Sequence, residues 1–178
     1  MSKIRIAIDM DDVLADTLAR FIERYNTEFS QSLTKNTLSG MNFEDVIPND
    51  RRSAVAAYPH DPEFFNDLDV FPYSQEVVRS LAQRYEVFIA TAAMEYPPSF
   101  AAKFSWLQAN FPFIPSSHVV FCGDKSILAV DFLIDDNSRH FTRLRGQGIL
   151  FEAPHNIHET DHPRVRDWYE VSNYFLCS

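Results

Sequence analysis

Acidic and hydroxyl side chains stand where several short apolar runs of this sequence end. The run Ile4–Ile8 leads into Asp9, Asp11 and Asp12, the run Val87–Ala90 into Thr91, and the run Phe132–Ile134 into Asp135 and Asp136. Lys125 follows a further run, Val119–Phe121. If these runs are parallel strands, their carboxyl ends meet at one edge of the sheet, where open α/β sheets bind ligands. We therefore expect these polar residues to form one site.

The residue types in that set favour a metal ion and a phosphoryl group. Clustered carboxylates cannot all ionise without compensating positive charge. A hard divalent cation such as Mg²⁺, bound by carboxylates, water and a substrate phosphate, supplies that charge. One carboxylate then attacks phosphorus, while the metal, the lysine and the threonine hydroxyl stabilise the phosphoryl oxygens. Asp11 lies two residues beyond Asp9, on the same side of an extended strand, and is placed to act as general acid and base.

The apolar runs also predict the fold. They are continuous rather than alternating, which is typical of a parallel sheet covered on both faces. A weaker fifth run covers Ile149–Phe151. Helical periodicity lies between them: one helix carries Leu14 to Phe29, one follows a Ser74 cap, one covers Ser99–Asn110, and the last begins at Pro163. Strands that alternate with helices predict an α/β doubly wound sheet.

One connection is much longer than a single crossover helix requires. Between Asp9 and Val87, residues 30–73 remain after the flanking helices are assigned, and they contain their own aromatic residues and prolines. We interpret residues 30–73 as a small helical cap over the mouth of the sheet, and 1–29 with 74–178 as the core. The aromatic residues Phe43, Phe64 and Phe65 either stack on a substrate ring or pack the cap onto the core.

Composition excludes several classes of protein. The 178 residues carry a net charge of −9, which disfavours binding to nucleic acid polymers. Two cysteines are too few for a disulfide framework, and four glycines do not complete a Walker or dinucleotide-binding loop. The N-terminal residues do not have the pattern of a signal peptide, and no window has the length of a membrane span. We therefore expect a cytoplasmic protein that does not bind membranes.

Four motifs resemble those of haloacid dehalogenase (HAD) superfamily phosphatases. Asp9-Met10-Asp11-Asp12-Val13-Leu14-Ala15-Asp16 is similar to the first motif, Phe88-Ile89-Ala90-Thr91 to the second, and Asp124-Lys125-Ser126 with Asp131–Asp136 to the third and fourth. Their spacing, together with Glu63–Leu68, is similar to the 5'(3')-deoxyribonucleotidase family. The resemblance covers nearly the whole chain.

The resemblance implies a Rossmann-like core, a cap between the first two motifs, and Mg²⁺ as cofactor. It makes Asp9 the nucleophile and Asp11 the acid/base, with the Asp11 backbone carbonyl as a metal ligand. Thr91 and Lys125 become phosphate ligands. Asp136 becomes a direct metal ligand, with Asp135 beside it. Animal members of the family have glycine where this chain has Asp12.

Three other kinds of site share some of these residue types. A calcium loop from Asp9 fails, because its sixth and twelfth positions are Leu14 and Arg20. Signalling receiver domains also use Asp, Thr, Lys and an acidic pair, but the pair comes first there and last here. The segment from His158 to His162 spells a zinc-protease motif, yet Pro163 disfavours the helix that this motif needs.

The sequence thus predicts a Mg²⁺-dependent phosphomonoesterase that forms an aspartyl-phosphate, most simply on deoxyribonucleoside 5'(3')-monophosphates. The alternatives are the same chemistry on a non-nucleotide phosphate ester, or a non-catalytic phosphate-binding domain. The expected partner is a small phosphorylated substrate, and a homodimer is compatible with the sequence.

Overall fold

A parallel β-sheet forms the centre of the protein, whose computed structural model describes residues 3–177. Its strands are β1 (Arg5–Ile8), β2 (Glu86–Thr91), β3 (Val119–Phe121), β4 (Phe132–Asp135), β5 (Gln147–Phe151) and β6 (Arg164–Val165). Their order across the sheet is β3-β2-β1-β4-β5-β6, and every neighbouring pair is parallel. The five predicted runs all form strands, so the α/β doubly wound fold is confirmed.

The helices lie between the strands. They are α1 (Thr17–Phe29), α2 (Phe43–Val46), α3 (Asn49–Ala56), α4 (Ser74–Arg84), α5 (Phe100–Asn110) and α6 (Trp168–Leu176). The first helix starts later than its apolar pattern, because the Asp16 side chain accepts a hydrogen bond from the Ala19 amide (3.0 Å) and caps it. Short 3₁₀ turns join many elements, among them Lys125–Ile127 after β3.

The last helix exists, but its predicted start at Pro163 is wrong. Arg164 and Val165 instead form the edge strand β6, and the helix begins only at Trp168, capped by Asp167. Pro163 lacks an amide hydrogen, but its carbonyl accepts from the Leu150 amide (2.8 Å) and so begins the pairing with β5. Pro163 suggested the start of a helix in the sequence, but in the structure it directly precedes an edge strand.

Helix α1 shares an aromatic core with the segment inserted after it. The Phe21 ring lies 4.8 Å from the Phe64 ring and 5.9 Å from the Phe43 ring, and Tyr25 makes an edge contact with Phe43 at 5.7 Å. These contacts join α1 to residues 30–73, whereas the division at residue 29 was drawn from sequence alone and stays a prediction.

Two tryptophans connect the layers. The Trp168 indole donates to the Val13 carbonyl (2.8 Å), and the Trp106 indole donates to the Leu68 carbonyl (2.8 Å). Both side chains are buried in the core. They tie α6 to the loop after β1 and α5 to the inserted segment. Within residues 3–177, none of the helices combines the length and apolar character that crossing a bilayer requires.

Candidate active site

The carboxyl ends of β1 and β4 place two aspartates side by side. Ile8 is paired with Ile134, so the residues that follow them, Asp9 and Asp135, are neighbours. The Asp9 amide continues the ladder by donating to the Ile134 carbonyl (2.9 Å). Both side chains are buried. Strand register alone therefore brings the first and fourth sequence motifs together.

Lys125 lies between these two carboxylates. Its ammonium is 2.7 Å from Asp9 Oδ1 and 2.6 Å from Asp135 Oδ2, and its side chain is fully buried. Burial would lower the pKa of this lysine, but Asp9 and Asp135 outweigh that effect and raise it above its ordinary value. Lys125 therefore stays charged in the site.

Each member of the Asp135-Asp136 pair is held differently. Asp135 Oδ2 also contacts His140 Nδ1 (2.8 Å), and its Oδ1 accepts from the Asn137 amide (3.0 Å), so both oxygens are engaged. The Asp136 backbone carbonyl instead accepts from the buried Asn156 side chain (2.7 Å), which holds the main chain there. The Asp136 carboxylate faces the cleft, where its Oδ2 lies 3.6 Å from His155 Nε2, whereas Asp135 contacts Lys125.

A second charged cluster surrounds Asp11. Its Oδ1 accepts from the Thr17 hydroxyl (2.9 Å), and its Oδ2 accepts from the Lys103 ammonium and, at 3.3 Å, from the Thr91 hydroxyl. Lys103 is buried and also reaches Thr91 Oγ1 (3.2 Å). Burial would raise the pKa of Asp11, but Lys103 and the hydrogen bond from Thr17 lower it overall. Asp11 is therefore favoured as a carboxylate.

Asp12 adds a further carboxyl group at the mouth of the site. Its φ of 54° lies in the left-handed region, where glycine is favoured and aspartate is tolerated. Its Oδ1 accepts from the Leu18 amide (2.8 Å). Burial raises the pKa of Asp12 to about 7, assisted by the charges of Asp11 and Asp16.

The carboxylates face a deficit of positive charge. Burial raises the pKa of Asp9 to about 7, because Lys125 only partly offsets desolvation and the charges of Asp135 and Asp11. Burial and the charges of Asp135, Asp12 and Asp9 likewise raise the pKa of Asp136 well above its usual range. A bound cation would relieve both effects, since it favours the ionised forms.

The donor atoms suit a hard divalent cation. Carboxylate oxygens of Asp9, Asp135 and Asp136 lie within 4.8 Å of one another. Oxygen ligands are those that Mg²⁺ prefers, and it keeps several waters or substrate oxygens besides. Because both oxygens of Asp135 are engaged, Asp9 and Asp136 fit the role of direct ligands better than Asp135 does.

Two connected cavities open above these residues. A cleft of about 190 Å³ contains Asp9, Asp11, Asp136, Lys103 and Phe65. A larger cavity of about 520 Å³ lies between the inserted segment and the core, and it includes Phe43, Asn42 and His155. The two share several lining residues, namely Asp12, Phe21, Pro59, Tyr96 and Asn137. The small cleft is therefore the charged end of this space, and the larger cavity is its partly apolar end.

The three aromatic residues singled out in the inserted segment occupy different places. Phe43 is half-buried and lines the larger cavity. Phe65 is buried and reaches the small cleft, where its ring lies 4.4 Å from the Lys103 ammonium. Phe64 is 2% exposed and packs against Phe21 and Phe65.

The structure thus gathers Asp9, Asp11, Thr91, Lys125, Asp135 and Asp136 at one edge of the sheet. The sequence reasoning missed Lys103, His140 and Asn156. A signal for Lys103 existed: it shares the α5 face of Trp106 and Leu107, three and four residues on, and both of these are buried. A lysine on an apolar face predicts a buried cation with a partner.

Known proteins are similar to this chain over nearly its whole length. Residues 2–178 match the family model described as "5' nucleotidase, deoxy (Pyrimidine), cytosolic type C protein". The 5'(3')-deoxyribonucleotidase of Bacillus subtilis is 38% identical over 177 residues, covering 99% of this chain and all of that protein. A Staphylococcus epidermidis protein, provisionally named a 5'(3')-deoxyribonucleotidase, is 43% identical over 175 residues, covering 98% of this chain and 97% of its own length.

Solved structures agree on the fold. A haloacid dehalogenase-like hydrolase of Streptococcus pneumoniae has a TM-score of 0.63 at 13% identity, covering 97% of this chain and 98% of its own. The Bacillus subtilis HAD hydrolase YfnB, solved with bound magnesium, has a TM-score of 0.61 at 14% identity, covering 98% and 99%. At such identities the likeness establishes the architecture.

Proposed function

Since the chain belongs to the deoxy (pyrimidine) 5' nucleotidase family and is a hydrolase of the HAD superfamily, we propose that it hydrolyses deoxyribonucleoside 5'- or 3'-monophosphates. The reaction depends on Mg²⁺ and passes through an aspartyl-phosphate, the acyl phosphate of Asp9. The substrate is a free nucleotide, because the net charge of −9 opposes binding to nucleic acid polymers. We also propose a cytosolic location, in line with the description of the family model.

One observation carries this proposal: the way Asp9 is fixed. Its Oδ1 accepts from the Met10 amide (2.7 Å) and contacts Lys125 (2.7 Å), which leaves Oδ2 as the reactive atom. A buried carboxylate held through one oxygen, with a lysine beside it, is arranged to attack an electrophile. It would be a costly arrangement for a purely structural aspartate, because burial raises its pKa.

In the first half-reaction Asp9 Oδ2 attacks phosphorus and the bond to the leaving oxygen breaks. Lys125 stabilises the charge on the phosphoryl oxygens, and Asp135 holds it in place. The buried hydroxyl of Thr91 donates to Asp11 Oδ2 (3.3 Å) and would turn this hydrogen bond to a phosphoryl oxygen when the substrate binds. The leaving alkoxide takes a proton from Asp11. Asp11 rests as a carboxylate because its pKa is lowered. It therefore first takes this proton from the monoanionic phosphate group of the substrate as the substrate binds.

In the second half-reaction water cleaves the acyl phosphate of Asp9. Asp11, again a carboxylate, takes the proton from the attacking water and later releases it to solvent. The Thr17 hydroxyl donates to Asp11 Oδ1 (2.9 Å) and restricts the rotation of this carboxylate through both steps. Phosphate leaves and Asp9 is regenerated.

Mg²⁺ would be held by Asp9, Asp136 and the Asp11 carbonyl, and when bound it supplies positive charge for the phosphoryl oxygens. The oxygen donors and the raised pKa of Asp136 support this assignment. The nucleoside would occupy the larger cavity, with Phe43 as the residue that contacts the base.

A panel of phosphate esters tests the proposal. Purified protein with Mg²⁺ should hydrolyse deoxyribonucleoside monophosphates with a higher kcat/KM than ribonucleotides, sugar phosphates or 4-nitrophenyl phosphate. Asp9→Asn provides the matched inactive control. Preference for a sugar phosphate would support the proposed phosphatase chemistry but reject nucleotides as the substrate. The absence of turnover with every ester would reject the proposed phosphatase activity.

A further inference from the structure

Lys103 is a buried cation that the mechanism above does not use directly. Its side chain is 2% exposed, and it comes from α5 rather than from a strand end. A lysine at this depth is costly unless it is paired and hydrogen-bonded. Its partners are therefore informative about its role.

Those partners belong to the catalytic set. The ammonium of Lys103 donates to Asp11 Oδ2 and to Thr91 Oγ1 (3.2 Å). The Phe65 ring covers it, with the ring centroid 4.4 Å from Nζ. Lysine has three donor hydrogens. Two of them point to these oxygens, and the Phe65 ring packs against the ammonium, so its contacts are all with the protein.

The geometry around Asp11 indicates what this lysine does. The Thr17 hydroxyl holds Oδ1 (2.9 Å), and Lys103 holds Oδ2 from the side of α5. A carboxylate held through both oxygens by groups on different helices cannot rotate freely. Proton transfer depends strongly on such alignment, and a misplacement of 1 Å can cost about 100-fold in rate.

We propose that Lys103 is a positioning residue for the proposed reaction: it fixes the orientation of Asp11, and Phe65 from the inserted segment fixes Lys103. This inference rests on the proposed function, since it needs Asp11 as the acid and base. It differs from a phosphate-binding role, in which Lys103 would act on the substrate independently of Asp11.

A double-mutant cycle separates these roles. Four proteins are compared with Mg²⁺ and a deoxyribonucleoside monophosphate: wild type, Lys103→Met, Asp11→Asn and the double variant. Lys103→Met should lower kcat on the order of 100-fold, with little change in KM. In the Asp11→Asn background the same change should have almost no further effect, because there is no longer an acid to position.

The leaving group gives a second readout. The kcat/KM of Lys103→Met should fall much less for 4-nitrophenyl phosphate than for the nucleotide, because an acidic leaving group needs little protonation. A structural role alone would reduce both substrates equally. Lys35→Met is the matched control, since Lys35 pairs with Asp16 outside the charged cleft, and it should leave both rates close to wild type.

Folding is checked by thermal melting of every variant. The double variant removes both partners, so it leaves no buried charge unpaired and remains interpretable if Lys103→Met melts early. The inference is overturned if Lys103→Met is as active as wild type, or if its loss persists in full in the Asp11→Asn background. A wild type that hydrolyses none of the esters would instead reject the proposed function.

Discussion

Replacing Phe64 and Phe43 separately by alanine distinguishes packing from substrate contact. Phe64 is 2% exposed, and its ring lies 4.8 Å from Phe21, 5.0 Å from Phe65 and 6.3 Å from Tyr58. Removing a buried phenylalanine costs about 3–5 kcal/mol. For a chain of this size each kcal/mol lowers Tm by about 2–4 °C. Phe64→Ala should therefore melt about 6–20 °C below wild type.

Phe43 should behave differently because it is half-buried and lines the larger cavity. Stacking of a base on an aromatic ring contributes about 1–3 kcal/mol, which corresponds to roughly 5- to 150-fold in affinity. Phe43→Ala should raise KM for deoxyribonucleoside monophosphates within that range. It should leave KM for 4-nitrophenyl phosphate nearly unchanged, and lower Tm less than Phe64→Ala does.

Differential scanning fluorimetry and steady-state kinetics on both substrates measure these effects in the same preparations. The reasoning is refuted for Phe64 if its variant keeps the wild-type Tm while KM for nucleotides rises. It is refuted for Phe43 if KM for nucleotides does not change, since the larger cavity would then not hold the base.

Three further predictions concern the charged site and the sheet. Asp9→Asn should abolish turnover, and the variant should melt no earlier than wild type, because the substitution removes a buried carboxyl group whose pKa is already raised. Mass spectrometry must first exclude deamidation of the new asparagine. Measurable turnover in that preparation would contradict the role of Asp9 as nucleophile. EDTA should abolish the activity, Mg²⁺ should restore it, and Ca²⁺ should inhibit because it accepts looser coordination than Mg²⁺. Equal activation by Mg²⁺ and Ca²⁺ would contradict the proposed metal site. Gly148→Ala should cost about 1–3 kcal/mol by overpacking, since its Cβ would lie 2.3 Å from the Phe141 ring. Gly123→Ala, whose Cβ would meet only Met94 at 3.7 Å, is the control, and equal melting of the two variants would contradict the packing argument.

The positions of the candidate site residues were predictable because the ends of the strands are encoded locally. Continuous apolar runs identified β1 to β5, and the residue after each run was read directly from the sequence. Parallel pairing then brings Asp9 beside Asp135 without any detail of side-chain packing. A site built on the carboxyl ends of parallel strands is therefore unusually open to sequence reasoning.

What failed depended on contacts between distant segments. Arg164 and Val165 form a strand only because β5 offers an edge to pair with, and two residues carry too little pattern to reveal that. Phe43 and Phe64 are the same residue type in one segment, and their different surroundings come from the way α1 packs on that segment. Periodicity describes a single element, so it does not distinguish a cavity wall from a core.

Helix α5 shows why the inserted segment and the catalytic core act as one unit. Lys103 and Trp106 lie three residues apart and therefore on one face of the helix. Lys103 contacts Asp11 in the core and the Phe65 ring, while Trp106 donates to the Leu68 carbonyl in the inserted segment. A shift of that segment would move Phe65 and Leu68 together, and both act on α5. Since α5 carries the cation that contacts Asp11, the packing of the inserted segment and the orientation of the Asp11 carboxylate depend on the same few contacts.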